Sequence, residues 1–336
     1  MTITEILDKP DWDTPFFKRL AKNDTGAANS NQSGMVLLKE LRPYLPRLNE
    51  ADTSKSAPTT DRRLSVELFM GTIRVAGITE VRYQFQTRGA KRAPESWITH
   101  PKGELGWHPL WDIATSGDVI IFQRRLDAID RFRMILVQKR TPEFAEIATV
   151  VNSRRGGPLY LDNQPVTQAE FTSAINAIDA LAQQPFEVLL PQVKRVVTRQ
   201  NRVARTCVFS DRIRREYQFK CAVSGIFVVT PAEPHELYEV ESAHIVPLNK
   251  GGSDDFRNGL ALTQTLHWAF DHGLFGITPA RTIYLPKRVR TAKSGQNVFL
   301  HQYQNKPISE AKTQSLRAHC DAFDWHMEHL VKQWDT

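Results

Sequence analysis

The sequence has no long apolar run, and this absence argues against a membrane-spanning protein. No stretch approaches the ~18 consecutive apolar residues that a membrane-spanning helix needs. The first residues also lack the basic-then-apolar order of a secretory signal. We therefore expect a cytoplasmic location and no membrane partner.

Cysteine is scarce: the chain has three, and no Cys-x-x-Cys pair is among them. This number and spacing exclude a disulfide framework and a four-cysteine zinc site. Isolated buried thiols are expected at Cys207, Cys221 and Cys320, because free cysteine is among the most buried residue types.

Charge is unevenly distributed along the 336 residues, whose formal net charge is +7. Residues 151–220 hold 11 basic and 6 acidic side chains, the largest local excess. A solvated helix face would explain this cluster, and so would a strip that follows nucleic acid phosphates. Arg199 and Arg202 are the candidate phosphate contacts in the second case.

Hydropathy alternates with a period of two in the first half of the chain. The alternation covers residues 64–88, and shorter apolar runs follow at Val119–Phe122 and Phe132–Val137. Turn-forming glycine and serine residues separate these runs, which predicts several short strands. The pattern is typical of a barrel-like β domain that ends near residue 145.

A helical pattern replaces the strands after a loop at 152–165. Thr167 and Glu170 form a capping-box signature, and apolar residues at helical spacing follow it. A second helical stretch is predicted at about 186–204, in the part of the chain where the basic cluster lies. This part of the chain is interpreted as a helical connector.

The segment with the most chemistry follows this connector. Tyr238–Val246 is a predicted strand and Gly251–Asp255 a turn, and the local order is strand, turn, strand, helix. Apolar residues at helical spacing mark the helix: Leu260, Leu262, Leu266 and Phe270. His267 and Asp271 are four residues apart, so they share one helix face and could bind one cation together.

Four motifs in this region resemble the HNH nucleases of the ββα-metal class, over about residues 206–290. They are Cys221-Ala-Val-Ser-Gly225, Ala243-His-Ile-Val-Pro247, Asn258-Gly-Leu-Ala-Leu262 and Ala269-Phe-Asp-His-Gly273. The resemblance implies that His244 is the general base, that Asn258 holds the ββα loop and that His267 is a metal ligand. A neutral imidazole can accept a proton near neutral pH, and a cation stabilises the charge that develops on the phosphate.

One position departs from that family. Many HNH enzymes have an acidic metal ligand directly before the base, where this chain has Ala243. Asp271 is then the expected carboxylate ligand, with Glu241 or Glu239 as weaker candidates. The implied cofactor is a divalent cation, Mg²⁺ first, with Mn²⁺ or another transition metal as alternatives.

Residues 14–145 resemble the N-terminal DNA-recognition pseudobarrel of EcoRII-type restriction enzymes. The matching pieces are Lys18-Arg-Leu, Asn23-Asp-Thr-Gly-Ala27, Gln32-x-Gly34 and the segment from Thr87 to Glu95. In such domains two loop arms grip the major groove, with side chains suited to reading base edges. The implied DNA contacts are Lys18, Arg19, Lys22, Asn23, Asp24, Thr25, Asn31, Gln32, Arg88, Lys91, Arg92 and Glu95. Asn29-Ser30-Asn31 stands where the family usually has a glycine pair and histidine, so the resemblance alone does not define the target sequence of this chain.

Together these features predict an α+β multidomain protein. We expect a β-pseudobarrel at 1–150, a basic helical connector at 151–205 and an HNH nuclease domain with a helical extension at 206–336. The predicted function is a sequence-specific restriction endonuclease that acts on double-stranded DNA. A modification-dependent endonuclease and a DNA-binding regulator with a vestigial nuclease fold are the alternatives.

The last helix of the chain bears on assembly. Phe323, Met327, Leu330 and Trp334 recur at helical spacing, so this helix either packs on its own nuclease domain or pairs with a second subunit. We expect a homodimer at least when DNA is bound, because one HNH site cuts one strand.

Overall fold

A computed structural model describes most of the chain. It covers residues 2–9, 11–25, 34–48, 53–54, 56–87, 93–100, 105–126, 128–160, 162–190, 199–231, 238–293 and 295–336. The fold is mixed α+β and divides into two compact units, Met1–Thr172 and Ser173–Thr336. Among the helices in these ranges, none combines the length and apolar character needed to cross a membrane.

The first unit is built on one eight-stranded sheet. Its strand order is β2-β5-β4-β3-β7-β6-β1-β8, and β3 runs parallel to β7 while the other neighbours are antiparallel. The strands are β1 Phe16–Arg19, β2 Gly34–Leu37, β3 Thr59–Met70, β4 Ile73–Gln86, β5 Glu95–Thr99, β6 Val119–Arg125, β7 Ala128–Val137 and β8 Gly156–Pro158. The strands predicted within 64–88 and at 119–122 and 132–137 are therefore confirmed.

Alternation along these strands buries side chains on both faces of the sheet. Phe16 and Phe17 are neighbours in β1, and they belong to two different hydrophobic clusters. The cluster around Phe16 includes Leu64 and Phe122, whereas the cluster around Phe17 includes Ile121. Successive side chains of a strand point to opposite faces, so β1 contributes to both cores.

Short helices accompany the sheet, and a longer one begins at the end of this unit. They are α1 Ile3–Leu7, α2 His108–Trp111, α3 Pro142–Ser153 and α4 Gln168–Ala182. The predicted capping box of α4 is confirmed: the Thr167 hydroxyl accepts the Glu170 N–H at 3.3 Å, and the Glu170 carboxylate accepts the Thr167 N–H at 2.7 Å.

Two details of the predicted connector are wrong. Residues 152–165 were expected to be loop, yet β8 lies within them and pairs with β1. The second helix was expected at 186–204, but residues 186–190 are not helical and α5 runs from Arg199 to Glu216. Pairing across the sheet has no local sequence signal, since β8 is only a Gly-Gly-Pro segment. Neither a separate connector nor the specific pseudobarrel is confirmed.

The second unit holds α5 and the remaining elements. Its strands are β9 Glu241–His244, β10 Gly259–Leu262, β11 Gly276–Ile277 and β12 Ile283–Tyr284. Its further helices are α6 Gln264–Asp271, α7 Lys287–Arg290, α8 Val298–His301 and α9 Cys320–His326. Strands β9 and β10 form an antiparallel pair, so the order strand, turn, strand, helix is confirmed.

Two predictions for this unit need correction. Leu260 and Leu262 lie in β10 and not in the helix, which begins at Gln264. Cys207 and Cys221 are buried free thiols as expected, but Cys320 is exposed. At the C-terminus, Phe323 and Val331 are fully buried, so the last helix packs within its own unit.

Candidate active site

The β9–β10 pair positions His244. His244 is the register partner of Gly259, and the Ile245 N–H donates to the Asn258 carbonyl at 2.9 Å. Phe209 of α5 stacks on the His244 ring, with centroids 4.0 Å apart and planes 5° apart. A Cβ on Gly259 would lie 2.8 Å from the Phe209 ring. Glycine opposite His244 therefore leaves the space that this stacking needs.

Asn258 holds the loop between the two strands. Its side-chain oxygen accepts the Val246 N–H at 2.9 Å, and its amide donates to the carbonyls of Val246 and Ser253 at 3.0 and 2.9 Å. The residue is 1% exposed. Gly252 passes so close that a Cβ there would lie 1.9 Å from the Val246 carbonyl oxygen. The loop shape is thus fixed by one amide and one glycine.

Asn258→Ala is expected to destabilise the second unit by about 2–4 kcal/mol, because three buried backbone groups lose their partner. The measurement is a thermal or denaturant unfolding curve of the full chain. Asn249→Ala is the matched control, since Asn249 is exposed in the same loop. Equal stability of the two variants would contradict the loop-holding role of Asn258.

His244 also has a charged partner. Its Nε2–H donates to Oδ1 of Asp254 at 3.2 Å, and the other carboxylate oxygen is 3.3 Å from Arg205 Nε of α5. Because a carboxylate only accepts, this hydrogen bond places the neutral ring's proton on Nε2 and leaves Nδ1 free to accept one. Arg205, Asp254 and His244 therefore form a chain that ends in a base.

His267 lies on α6 between two carboxylates. Its Nδ1 is 2.9 Å from Glu241 Oε2, and its Nε2 is 3.6 Å from Asp271 Oδ2. Burial lowers the pKa of His267, but the hydrogen bond to Glu241 and the charges of Asp271 and Glu241 outweigh it and raise this pKa. The hydrogen bond to His267 also lowers the pKa of Glu241, while burial raises that of Asp271.

An open cleft joins the two histidines. Its volume is about 450 Å³, and His244, His267 and Asp271 line it together with the loop 247–250 and Leu330. Three of the sequence-predicted site residues, His244, His267 and Asp271, therefore meet at one surface.

The donor set on this surface fits a divalent cation. Two atoms bound to one cation at about 2.0–2.2 Å lie roughly 3 Å apart or slightly more, and Nε2 of His267 is 3.6 Å from Asp271. Imidazole nitrogen favours transition metals and carboxylate oxygen favours harder cations, so this mixed pair suits a divalent cation without selecting one. Glu241 contacts the other nitrogen of His267, and Glu239 accepts the Gln264 N–H at 2.9 Å.

A second group of donor atoms occurs elsewhere in the described part of the chain. His319, Cys320 and Asp321 each place one such atom within 4.8 Å of the others. The His319 Nδ1 already accepts the Asp321 N–H at the start of α9. The His319 imidazole of this group therefore already caps the start of α9.

Three predicted DNA contacts lie inside the first unit. Lys18 and Asp24 form an ion pair at 2.5 Å, and their side chains are only 6% and 4% exposed. Asp24 also accepts the N–H groups of Ala21 and Val36, and the Thr25 hydroxyl donates to the Lys22 carbonyl. Burial lowers the pKa of Lys18. Lys18, Asp24 and Thr25 therefore make contacts within the first unit, and their assignment as DNA contacts stays a prediction.

The other predicted contacts are divided between the surface and the undescribed residues. Lys22, Asn23 and Arg202 are exposed, and Arg19 and Glu95 are half-buried. Five positions and the side chain of Arg199 lie outside the described residues: Asn31, Gln32, Arg88, Lys91 and Arg92.

Sequence reasoning missed Asp254, Arg205 and Phe209. Asp254 lies in the predicted turn, where an acidic residue is common. Arg205 and Phe209 are four residues apart on α5. Their shared helix face and the basic charge of Arg205 were signals, but neither indicates a contact with His244.

Comparison with known proteins finds a family match that covers the candidate site. Residues 221–278 match the HNH_2 family, described as HNH endonuclease. The match includes His244, Asn258, His267 and Asp271 and excludes α5 and the C-terminal helices. No curated protein matches the chain. A solved structure titled modification dependent TagI restriction endonuclease matches with 13% identity and a TM-score of 0.30, over 92% of this chain and 80% of that one. Similarity at that level carries no weight for fold or activity.

Proposed function

We propose that the protein is a metal-dependent DNA endonuclease of the HNH type. The observation that carries this proposal is the arrangement of His244, polarised by Asp254, on the same cleft as His267 and Asp271. A base and a cation site on one open surface suit phosphodiester hydrolysis.

His244 performs the proton transfer. Its Nδ1 accepts a proton from the attacking water, whose oxygen forms a bond to phosphorus while an ester P–O bond breaks. The Asp254 carboxylate then faces an imidazolium and stabilises its charge. Phe209 keeps the ring in plane for this transfer.

His267 and Asp271 would hold the divalent cation. When bound, it supplies positive charge to the scissile phosphate and the leaving oxygen. Glu241 orients His267 through Nδ1, which leaves Nε2 for the cation. Glu241 is thus assigned to positioning His267 and not to direct coordination.

The test is digestion of plasmid and genomic DNA by the purified chain with Mg²⁺ or Mn²⁺, and with EDTA. Cleavage that stops in EDTA supports the proposal, whereas DNA binding without cleavage would favour the regulator with a vestigial fold. Matched methylated and unmethylated DNA decide between a sequence-specific and a modification-dependent enzyme.

A plasmid with a single site tests the predicted homodimer. Two sites acting together should convert supercoiled DNA directly to linear product. Accumulation of nicked circles at saturating enzyme would overturn the dimer prediction, because one site cuts one strand.

Asp254→Asn is expected to reduce the cleavage rate by roughly 10- to 100-fold, the range found for carboxylates that orient a metal-binding histidine. The amide lacks the charge that stabilises the imidazolium, and it can donate where the carboxylate only accepted. Cleavage rates at saturating metal are the measurement. Asp211→Asn is the matched control, since Asp211 pairs with Arg215 on the surface of α5. Equal rates for the two variants would remove Asp254 from the mechanism.

A further inference from the structure

The C-terminal segment 320–334, here called the strap, contacts the end of the helix that carries His267 and Asp271. His326 of the strap is 1% exposed, and its Nε2–H donates to the Phe270 carbonyl at 3.0 Å. The two rings stack with centroids 3.7 Å apart and planes 5° apart. Because Phe270 directly precedes Asp271, this contact fixes the last turn of α6.

Backbone contacts extend the attachment beyond α6. Gly273 has a φ of +64°, and a Cβ there would lie 2.1 Å from the Leu330 carbonyl oxygen. A Cβ on Gly276 would lie 2.2 Å from the Met327 sulfur. Glycine at both positions allows this close approach. The strap thus meets the chain immediately after Asp271.

Two further features connect the strap to the cleft. The Trp334 indole N–H donates to the His272 carbonyl at 3.0 Å. Leu330 lies in a π-helical turn, Met327–Val331, and lines the cleft with His244 and His267. Single π-helical turns are frequent at functional sites, and this one carries the strap residue that lines the cleft.

A histidine at position 326 costs more free energy of folding than an apolar residue that only packs there. Its Nδ1 is buried without a hydrogen-bond partner among the described residues, and such a group costs free energy. Burial lowers the pKa of His326 to about 4, so the ring stays neutral near pH 7. A phenylalanine would fill similar space without this cost, which leaves the hydrogen bond to Phe270 as the reason for histidine.

We propose that the strap is a working part of the nuclease site, in which His326 is a positioning residue that holds Asp271 for cation binding through the Phe270 carbonyl. This inference rests on the proposed function for the role of Asp271. The strap lies outside the matched segment 221–278, so the site extends beyond that segment.

The experiment measures Mn²⁺ binding to the full chain by electron paramagnetic resonance, together with the melting temperature. His326→Phe should weaken Mn²⁺ binding by about 10-fold or more, whereas His326→Gln, which can still donate, should stay close to the wild type. Trp334→Phe should weaken binding to a smaller extent, and it tests the strap if His326→Phe does not fold. Phe323→Leu is the control for packing, because Phe323 is equally buried on α9.

The outcomes separate this inference from the proposed function. Weaker Mn²⁺ binding in His326→Phe but not in Phe323→Leu supports the positioning role of His326. If the wild type nevertheless cuts no DNA, only the proposed endonuclease function is overturned. Unchanged Mn²⁺ binding in His326→Phe, an equal loss in Phe323→Leu, or no Mn²⁺ binding by the wild type would each overturn the inference.

Discussion

Replacing His244 with alanine is expected to lower the rate of DNA cleavage by about 10²–10⁴-fold, the usual contribution of a general base. DNA affinity should stay nearly unchanged, because the imidazole acts on the attacking water. The Phe209 ring and the Asp254 carboxylate would lose their contacts with the imidazole, so the melting temperature of the variant must be checked alongside its rate.

The comparison uses single-turnover cleavage and a binding titration on the same duplex in Ca²⁺, a cation chosen to slow cleavage. His272→Ala provides the control, since His272 is an exposed histidine that follows α6 and stacks on Trp268. Parallel loss of binding and cleavage in His244→Ala would give His244 a structural role instead.

Removal of the His267 imidazole should have the second large effect. We expect His267→Ala to raise the Mn²⁺ concentration required for cleavage by about 10–100-fold or more, because one cation ligand is lost. Asp271→Ala should act in the same direction. Glu241→Gln should have a smaller effect, since the amide can still contact Nδ1 of His267.

Cleavage rates over a Mn²⁺ titration separate these three variants. A shift of the midpoint at unchanged maximal rate indicates weaker cation binding, whereas a lower maximal rate at the same midpoint indicates another role. If Asp271→Ala leaves the midpoint in place while Glu241→Gln moves it, Glu241 is the carboxylate ligand and the assignment here is reversed.

Much of the nuclease site could be predicted because its parts are local in sequence. The four-residue spacing of His267 and Asp271 predicts one helix face, and α6 bears this out. Assigning Leu260 and Leu262 to the helix failed because the four-residue spacing from Leu262 to Leu266 fits a helix and a strand alike, so it does not reveal the change of element. The pairing of β10 with β9 decides between them, and pairing is a long-range property.

The supports of the site could not be predicted for a related reason. Arg205 lies on α5 and His326 in the strap, far along the chain from the residues that they contact. A contact between distant segments leaves no period in the sequence. The same limit applies to Lys18 and Asp24, whose residue types suggest a DNA contact while their burial depends on the sheet around them.

The strand order of the first unit has a consequence for how the chain can be shortened. β1 has β6 and β8 as its two neighbours, and these strands begin at Val119 and Gly156. During synthesis, most of the first unit must therefore be made before Phe16 and Phe17 can be buried. A fragment that stops at residue 150 would leave one edge of β1 open, and unpaired apolar edges promote aggregation. A fragment that continues to the end of α4 at Ala182 retains β8, and we expect this longer fragment to remain monomeric when expressed alone.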